Sequence, residues 1–178
     1  MLRTIMLFAL LGLTVVGLLI PVIPVLFLSL FGLRKLVSLL VYRFAQAWAK
    51  MIMALSGCTF TVSGREHIPP QGGICLVSNH GSILDIVLLL ATVGRPIGFI
   101  AKKELVFIPL INIWILLLGG LFLDRKNVRR AVRTIKTGVA RIRNGGAMII
   151  FPEGHRSRGQ GLLPFHQGSF KLATQSEA

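Results

Sequence analysis

The strongest constraint on the fold is an amino-terminal stretch that carries no charged residue. It lies between Arg3 and Arg34, and its apolar run covers Ile5–Leu33. Since a helix of about 20 apolar residues is long enough to cross a bilayer, the run predicts a helical membrane anchor. A cleaved signal peptide is disfavoured, because the nearest small-residue cleavage pattern, Ala45–Ala47, lies beyond the positively charged residues that follow the run.

Two prolines leave the form of this anchor open. Pro21 and Pro24 divide the run, and each removes a backbone hydrogen-bond donor. The run is either one kinked span or a hairpin of two half-helices, over 4–20 and 25–50, and we favour the hairpin. Positive charge is heavier after the run, which predicts that the rest of the chain lies on the cytoplasmic face of the inner membrane. We therefore predict a membrane-anchoring segment over 1–50 and a separate domain over 51–178.

The composition indicates an anionic membrane surface and an acidic ligand as partners. Hydrophobic residues make up 53% of the chain and the mean hydropathy is +0.75, which excludes an intrinsically disordered protein. Lys and Arg nevertheless number 20 against 6 Asp and Glu, a formal net charge of +14. No groove-reading motif accompanies this charge, so we predict no nucleic-acid partner. Cys58 and Cys75 lack metal-ligand spacing, and we predict two buried free thiols.

Beyond the apolar run, short β-type segments alternate with helical ones. Apolar residues recur at three- and four-residue spacing from Val128 to Ile142, with basic residues on the other face, which predicts a helix. Proline, asparagine and glycine interrupt the uncharged stretch Leu105–Leu123, so we predict a membrane-side helix and then a buried strand. The predicted fold class is α/β, with a mixed, largely buried sheet flanked by helices and preceded by the anchor. The strand candidates are Thr59–Val62, Ile74–Val77, Ile97–Ala101, Leu121–Leu123 and Met148–Phe151.

A histidine and a carboxylate follow the second strand candidate. His80 precedes a predicted apolar helix, and Asp85 lies in the first turn of that helix. Such a carboxylate can accept a hydrogen bond from one ring nitrogen and leave the other nitrogen to take a proton, as in a general base. The spacing of Ser82 and Asp85 also fits a capping box, which explains the aspartate without any catalytic role. The pair alone leaves both interpretations open.

A second polar turn follows the last strand candidate, with the sequence Phe151-Pro152-Glu153-Gly154-His155-Arg156-Ser157. The planar guanidinium of Arg156 suits a phosphate, and Gly154 allows the backbone to come close to a ligand. Turns at strand exits are where α/β folds place ligands, although the same residues also fit a plain strand-terminating turn.

Four motif segments follow one another in the second part of the chain. The four blocks are Asn79-His80 through Asp85; Lys102-Lys103-Glu104-Leu105 with Gly120, Asp124 and Arg125; Phe151-Pro152-Glu153-Gly154 with Arg156 and Ser157; and Leu163-Pro164-Phe165 with Gly168. In this order they resemble the glycerolipid acyltransferase family, which includes the 1-acyl-sn-glycerol-3-phosphate acyltransferases. The resemblance covers residues 50–178.

This resemblance implies a reaction and a role for each motif residue. His80 would deprotonate the free hydroxyl of lysophosphatidic acid, oriented by Asp85, and the acceptor would attack the thioester of acyl-CoA or an acyl carrier protein to give phosphatidic acid. The acyl donor is then a substrate, and no metal or other cofactor is implied. The implied phosphate site comprises Arg156, Lys102, Glu153, Gly154 and Arg125, and the implied acyl side of the pocket comprises Phe151, Pro152, Pro164 and Phe165.

Two departures from the family pattern and two alternatives accompany this interpretation. His155 stands where the family more often has a small hydroxyl residue, and members usually continue past the fourth block, so we expect a catalytic domain truncated at its carboxyl end. The same motifs would serve another lysolipid, such as a lyso-ornithine lipid. A non-enzymatic basic membrane-binding protein would explain the composition but not the motifs. Acyl-chain preference and oligomeric state are left open.

Overall fold

A computed structural model describes Gly12, Val25, Phe27, Leu28, Leu30 and residues 31–177 of the chain. The helices from residue 34 onward are α1 (Arg34–Ser56), α2 (Leu84–Thr92), α3 (Ile111–Leu117), α4 (Val128–Arg143) and α5 (Gln167–Ser176). The strands are β1 (Ile74–Val77), β2 (Ile97–Lys102), β3 (Leu121–Leu123) and β4 (Ala147–Ile150), and 3-10 turns cover Arg65–His67 and Lys103–Phe107.

The four strands form a parallel sheet in the order β1-β4-β2-β3. Strand β4 pairs with β1 on one side and with β2 on the other, so that Ala147 is opposite both Ile74 and Ile97. Every residue of β4 is buried, as expected of a parallel strand covered on both faces. Because the strands are parallel, their carboxyl ends share one edge of the sheet, where the segments that leave them meet.

Helices cover the two faces of the sheet. On one face, α1 and α2 pack through Tyr42 and Leu90 into the same core as Ile149. On the other face, Ile142 of α4 packs with Ile150, and α5 joins this second core. Ile149 and Ile150 belong to different cores because successive side chains of a strand point to opposite faces.

The prediction that an apolar membrane-anchoring helix, as a hairpin or as a span, precedes the sheet is wrong for the described part of the chain. Within the described residues, no helix is both long and apolar enough to cross a membrane. Most of the run Ile5–Leu33, including Pro21 and Pro24, lies outside those residues. Helix α1 continues without a break through residue 50 and packs on α2, and the division into 1–50 and 51–178 stays a prediction.

The predicted mixed sheet is also wrong, because every strand pair in the described sheet is parallel. Thr59–Val62 is an exposed segment without regular secondary structure and is not a strand. Its β-branched and aromatic residues favour a strand only where a partner strand covers them. The other four strand candidates are confirmed to within one residue, and so is the long basic helix. Both cysteines are free as predicted, but neither is fully buried, because Cys58 is exposed and Cys75 is half-buried.

Candidate active site

His80 and Asp85 meet at the carboxyl edge of the sheet, in the segment that leaves β1. His80 Nδ1 lies 2.9 Å from Asp85 Oδ2, and the two side chains are 15% and 27% exposed. Since an ionised carboxylate only accepts hydrogen bonds, this contact assigns the ring proton to Nδ1 and the lone pair to Nε2. Nε2 has no hydrogen-bond partner among the described residues. The ring is therefore arranged to take a proton at Nε2.

The segment after β4 holds His80 from the other side. The ring of Phe151 stacks on the imidazole, with centroids 4.2 Å apart and planes inclined by 22°. The backbone N–H of His80 donates to Glu153 Oε1 at 3.0 Å, and its carbonyl oxygen accepts from the N–H of Ser157 at 2.8 Å. Ring and backbone of the histidine are thus both fixed by a loop that follows the neighbouring strand.

Asp85 also caps the helix in which it lies. The oxygen that meets His80 accepts a second hydrogen bond from the backbone N–H of Ser82, at 2.8 Å. Ser82 Oγ in turn accepts from the N–H of Leu84 at 3.2 Å, so the two residues form a variant of the capping box. The two interpretations that the sequence leaves open are therefore compatible, because one carboxylate serves both tasks.

Glu153 lies inside the loop and not at a ligand-facing surface. Glu153 is 1% exposed. Its second carboxylate oxygen, Oε2, accepts from the N–H of Leu163 at 3.4 Å. The predicted place of Glu153 in a phosphate site is therefore corrected, since a buried carboxylate with both oxygens engaged repels an anion and does not bind it. Its contacts join three motif segments, those that contain His80, Glu153 and Leu163. Pro152 is buried as well, so it packs inside the loop and is not part of a pocket wall.

Two of the predicted phosphate ligands are exposed cations. Arg156 makes no hydrogen bond or ion pair with any described residue, and it directly precedes Ser157, which bonds the backbone of His80. Lys102 ends β2, and its Nζ lies 3.6 Å from the exposed carboxylate of Glu104. Both side chains are available to an anionic ligand at this edge.

Arg125 connects the segment after β3 to the segment after β4. Its guanidinium donates to the carbonyl oxygen of Gly154, and partial burial lowers its pKa. Its neighbour Asp124 does not pair with it but with Lys103, at 2.8 Å, and with Arg130, at 3.6 Å. The hydrogen bond from Lys103 lowers the pKa of the Asp124 carboxyl, which keeps this link between the β2 and β3 exits ionised.

The chain is similar to known proteins. Residues 59–178, more than half of the chain, match the family model for acyltransferases. The chain belongs to the acyltransferase family. It is 31% identical, over 74% of its length and 52% of the relative's, to the 1-acyl-sn-glycerol-3-phosphate acyltransferase of Borreliella burgdorferi. It is 32% identical to the alpha form of the enzyme of that name from Homo sapiens, over 71% of this chain and 45% of that protein.

A solved structure shows the same fold. The crystal structure of the 1-acyl-sn-glycerophosphate acyltransferase PlsC from Thermotoga maritima aligns with a TM-score of 0.77 and 31% identity, over 98% of this chain and 69% of that one. The chain spans about half the length of the curated relatives it matches.

The fourth of the four blocks folds back over the third. The N–H of His166 donates to the carbonyl oxygen of Pro152 at 2.9 Å. Pro164 and Phe165 are exposed, and the ring of Phe165 lies 5.9 Å from that of Phe170. Their assignment to the acyl side of a pocket stays a prediction, as does that of Phe151, whose observed contact is with the catalytic candidate His80.

Sequence reasoning missed the reason for Gly154 and the contribution of His166. Gly154 has a φ of 74°, and a Cβ there would meet the ring of His166 at 2.9 Å and the guanidinium of Arg125 at 3.3 Å. The close approach that glycine permits is thus made by the protein's own side chains.

Among the described residues, no three His, Cys, Asp or Glu side chains group to hold a metal ion; that the reaction needs none stays a prediction.

Proposed function

We propose that the chain is an O-acyltransferase that transfers a fatty acyl group from a thioester donor to the free hydroxyl of 1-acyl-glycerol-3-phosphate, giving phosphatidic acid. The observation that carries the proposal is the 2.9 Å contact between His80 Nδ1 and Asp85 Oδ2 beside an unpartnered Nε2. It is supported by the similarity of the chain to 1-acyl-sn-glycerol-3-phosphate acyltransferases.

The proposed reaction is a direct transfer without an acyl-enzyme. Nε2 of His80 takes the proton of the acceptor hydroxyl, and the oxygen forms a bond to the thioester carbonyl carbon. As the tetrahedral intermediate collapses, the C–S bond breaks and the proton passes from His80 to the departing sulfur, so the products are an ester and a free thiol. Asp85 stabilises the imidazolium that exists between the two proton transfers.

The phosphate of the acceptor is proposed to bind Arg156 and Lys102. Arg156 has the stronger claim, because its guanidinium has no other described partner and its five donors match phosphate oxygens in pairs. Arg125 contributes positive charge while it holds Gly154. The donor, acyl-CoA or an acyl carrier protein, is a second substrate.

The deciding assay compares His80→Ala with the unchanged chain in membranes supplied with lysophosphatidic acid and labelled acyl-CoA. We expect the rate to fall by about 10²–10⁴-fold, the usual contribution of a general base. His67→Ala is the matched control, because His67 is an exposed histidine in the turn before β1. Equal rates for the His80→Ala and unchanged chains would reject the mechanism.

The acceptor is tested in the same assay with a lyso-ornithine lipid in place of lysophosphatidic acid. Because that lipid has no phosphate, a preference for it would reject lysophosphatidic acid as the acceptor while leaving the base catalysis intact.

We also propose that the enzyme acts at the cytoplasmic face of the inner membrane. This location is supported by the acceptor, which is itself a lipid, and by the net charge of +14, which favours an anionic surface.

A further inference from the structure

The imidazole of His80 contacts a phenyl ring as well as a carboxylate. Asp85 Oδ2 lies 2.9 Å from Nδ1. The centroid of the Phe151 ring lies 4.2 Å from that of the imidazole, and the two planes are inclined by 22°. The two contacts constrain different features of the histidine, because the hydrogen bond fixes one ring atom whereas the stack fixes the plane of the ring.

A single hydrogen bond does not define how an imidazole is tilted. The torsion that turns the ring of a histidine is broad and roughly two-fold, so a moderate turn leaves Nδ1 within reach of Asp85. The lone pair of Nε2 lies in the ring plane, and the tilt of that plane therefore decides where an acceptor hydroxyl must lie to give up its proton. Base catalysis depends on such geometry, since a misplacement of about 1 Å can lower a rate by about a hundredfold.

Phe151 is itself held in place by the sheet. It directly follows β4, in which every residue is buried, and its side chain packs against the core on the α1 and α2 side. Pro152 comes next, and a residue that precedes proline is restricted to extended backbone. His80, in contrast, lies in a segment without regular secondary structure. The phenyl ring is thus the fixed partner of the pair, and the imidazole takes its orientation from it.

We infer that Phe151 is a positioning residue for catalysis, which fixes the plane of the His80 imidazole and so directs Nε2 at the acceptor hydroxyl. A phenyl face carries partial negative charge, so the stack stays favourable while the imidazole is protonated between the two proton transfers. The inference rests on the proposed function, in which His80 is the general base. It differs from a place on the acyl side of the pocket, which would require Phe151 to touch the acyl chain.

The test replaces the phenyl ring with side chains that lose or keep its flat face. Phe151→Leu leaves an apolar side chain against the core but removes the ring, and Phe151→Tyr keeps the ring. The matched control is Phe99→Leu, because Phe99 is a buried phenylalanine of β2 in the same core. Transfer is measured in membranes with lysophosphatidic acid and labelled acyl-CoAs of several chain lengths, together with the melting temperature of each variant.

We expect Phe151→Leu to lower kcat by about 10- to 100-fold, by the same factor for every acyl chain and with the KM of both substrates unchanged. Phe151→Tyr should restore most of the rate. Phe99→Leu should lower the melting temperature at least as much as Phe151→Leu does, while its kcat stays near that of the unchanged chain. A normal kcat for Phe151→Leu would overturn the inference. So would a loss that varies with chain length, which would mean that Phe151 touches the acyl chain.

A second measurement detects the stack without turnover and applies even if Phe151→Leu does not fold. In the unchanged chain, labelled with ¹³C-histidine and held in detergent micelles, the ring current of Phe151 should move the Cε1–H signal of His80 upfield. The reference is the signal of His67, an exposed histidine, and both signals are assigned by their loss in the His80→Ala and His67→Ala chains. A His80 signal at the position of the His67 signal, in alkaline solution, would overturn the inference.

The failure of this inference can be separated from failure of the proposed function. If His80→Ala loses transfer while Phe151→Leu is as active as the unchanged chain, the general base stands and the positioning role of Phe151 is rejected. If His80→Ala is fully active, the proposed function fails, and the positioning role fails with it whatever the NMR signal shows.

Discussion

At the scale of single residues, Asp85 uses one oxygen for two tasks, and a substitution can separate them. Asp85→Asn keeps an oxygen for the N–H of Ser82 but loses the negative charge that steadies a protonated His80. We expect the transfer rate to fall by about 10²–10⁴-fold, with a melting temperature close to that of the unchanged chain. Asp85→Ala, which loses the cap as well, should lower both quantities. A normal rate for Asp85→Asn would mean that the aspartate only caps the helix.

Substitution of Glu153 should affect both stability and catalysis, because its carboxylate binds the backbone of His80 and of Leu163. Glu153→Gln keeps one acceptor for the N–H of His80 but places an amide NH₂ opposite the N–H of Leu163. An unsatisfied buried polar group costs about 1–3 kcal/mol, so we expect a loss of that size in the free energy of unfolding by urea. The transfer rate should also fall, because His80 loses part of its support.

The control for Glu153→Gln is Glu66→Gln, since Glu66 is an exposed carboxylate in the turn before β1. That change should leave both stability and rate unaltered. A Glu153→Gln chain as stable as this control would show that the buried contacts contribute little.

At the scale of elements, the sequence predicts what is local and misses what depends on distant partners. The sequence predicts β1 and β4 as short apolar runs between turn residues, and the motifs that contain His80 and Glu153 follow their carboxyl ends. Their parallel pairing, however, joins residues that are 73 positions apart in the chain. The hydrogen bond between His80 and Glu153 spans the same separation. The family resemblance therefore implied a ligand-binding role for Glu153, because the sequence does not show that its carboxylate accepts from the backbone of His80 instead. The strand predicted at Thr59–Val62 is absent, because its residues favour a strand but no neighbouring strand pairs with them.

The packing of β2 depends on Gly98, which makes this glycine the element-scale test. A Cβ at position 98 would collide with the carbonyl oxygen of Gly119 and lie 2.9 Å from the sulfur of Met148. Overpacking of this kind costs about 1–3 kcal/mol or more, so Gly98→Ala should lower the free energy of unfolding by at least that much. Gly168→Ala is the control, because nothing lies within 4 Å of its Cβ position in α5. Helix propensity predicts that it is neutral or stabilises by up to about 1 kcal/mol, and equal losses for both variants would contradict the packing argument.

At the scale of the whole molecule, the net charge of +14 can promote binding to an anionic membrane in two ways. Either all cations contribute equally, or a local patch of them makes the contact. Eight Lys and Arg fall between residues 125 and 143, and on α4 the exposed side chains of Arg129, Arg133 and Lys136 have no described partner. Each cation near an anionic surface contributes about 1 kcal/mol. Replacing these three with Gln should therefore weaken partition onto anionic vesicles by about 3 kcal/mol, or roughly a hundredfold.

The matched control for the α4 variant removes three exposed cations elsewhere, at Arg43, Lys50 and Lys171, so that both variants carry the same net charge. If the net charge acted as a sum, the two variants would lose equal affinity. Screening over about 8 Å in physiological salt instead limits the attraction to the cations that lie close to the membrane surface. A local patch predicts a larger loss for the α4 variant on anionic vesicles and no difference on neutral ones. Vesicle sedimentation of the two variants at low and high salt decides between them. A larger loss for the control would place the electrostatic contact on α1 and α5 instead of α4.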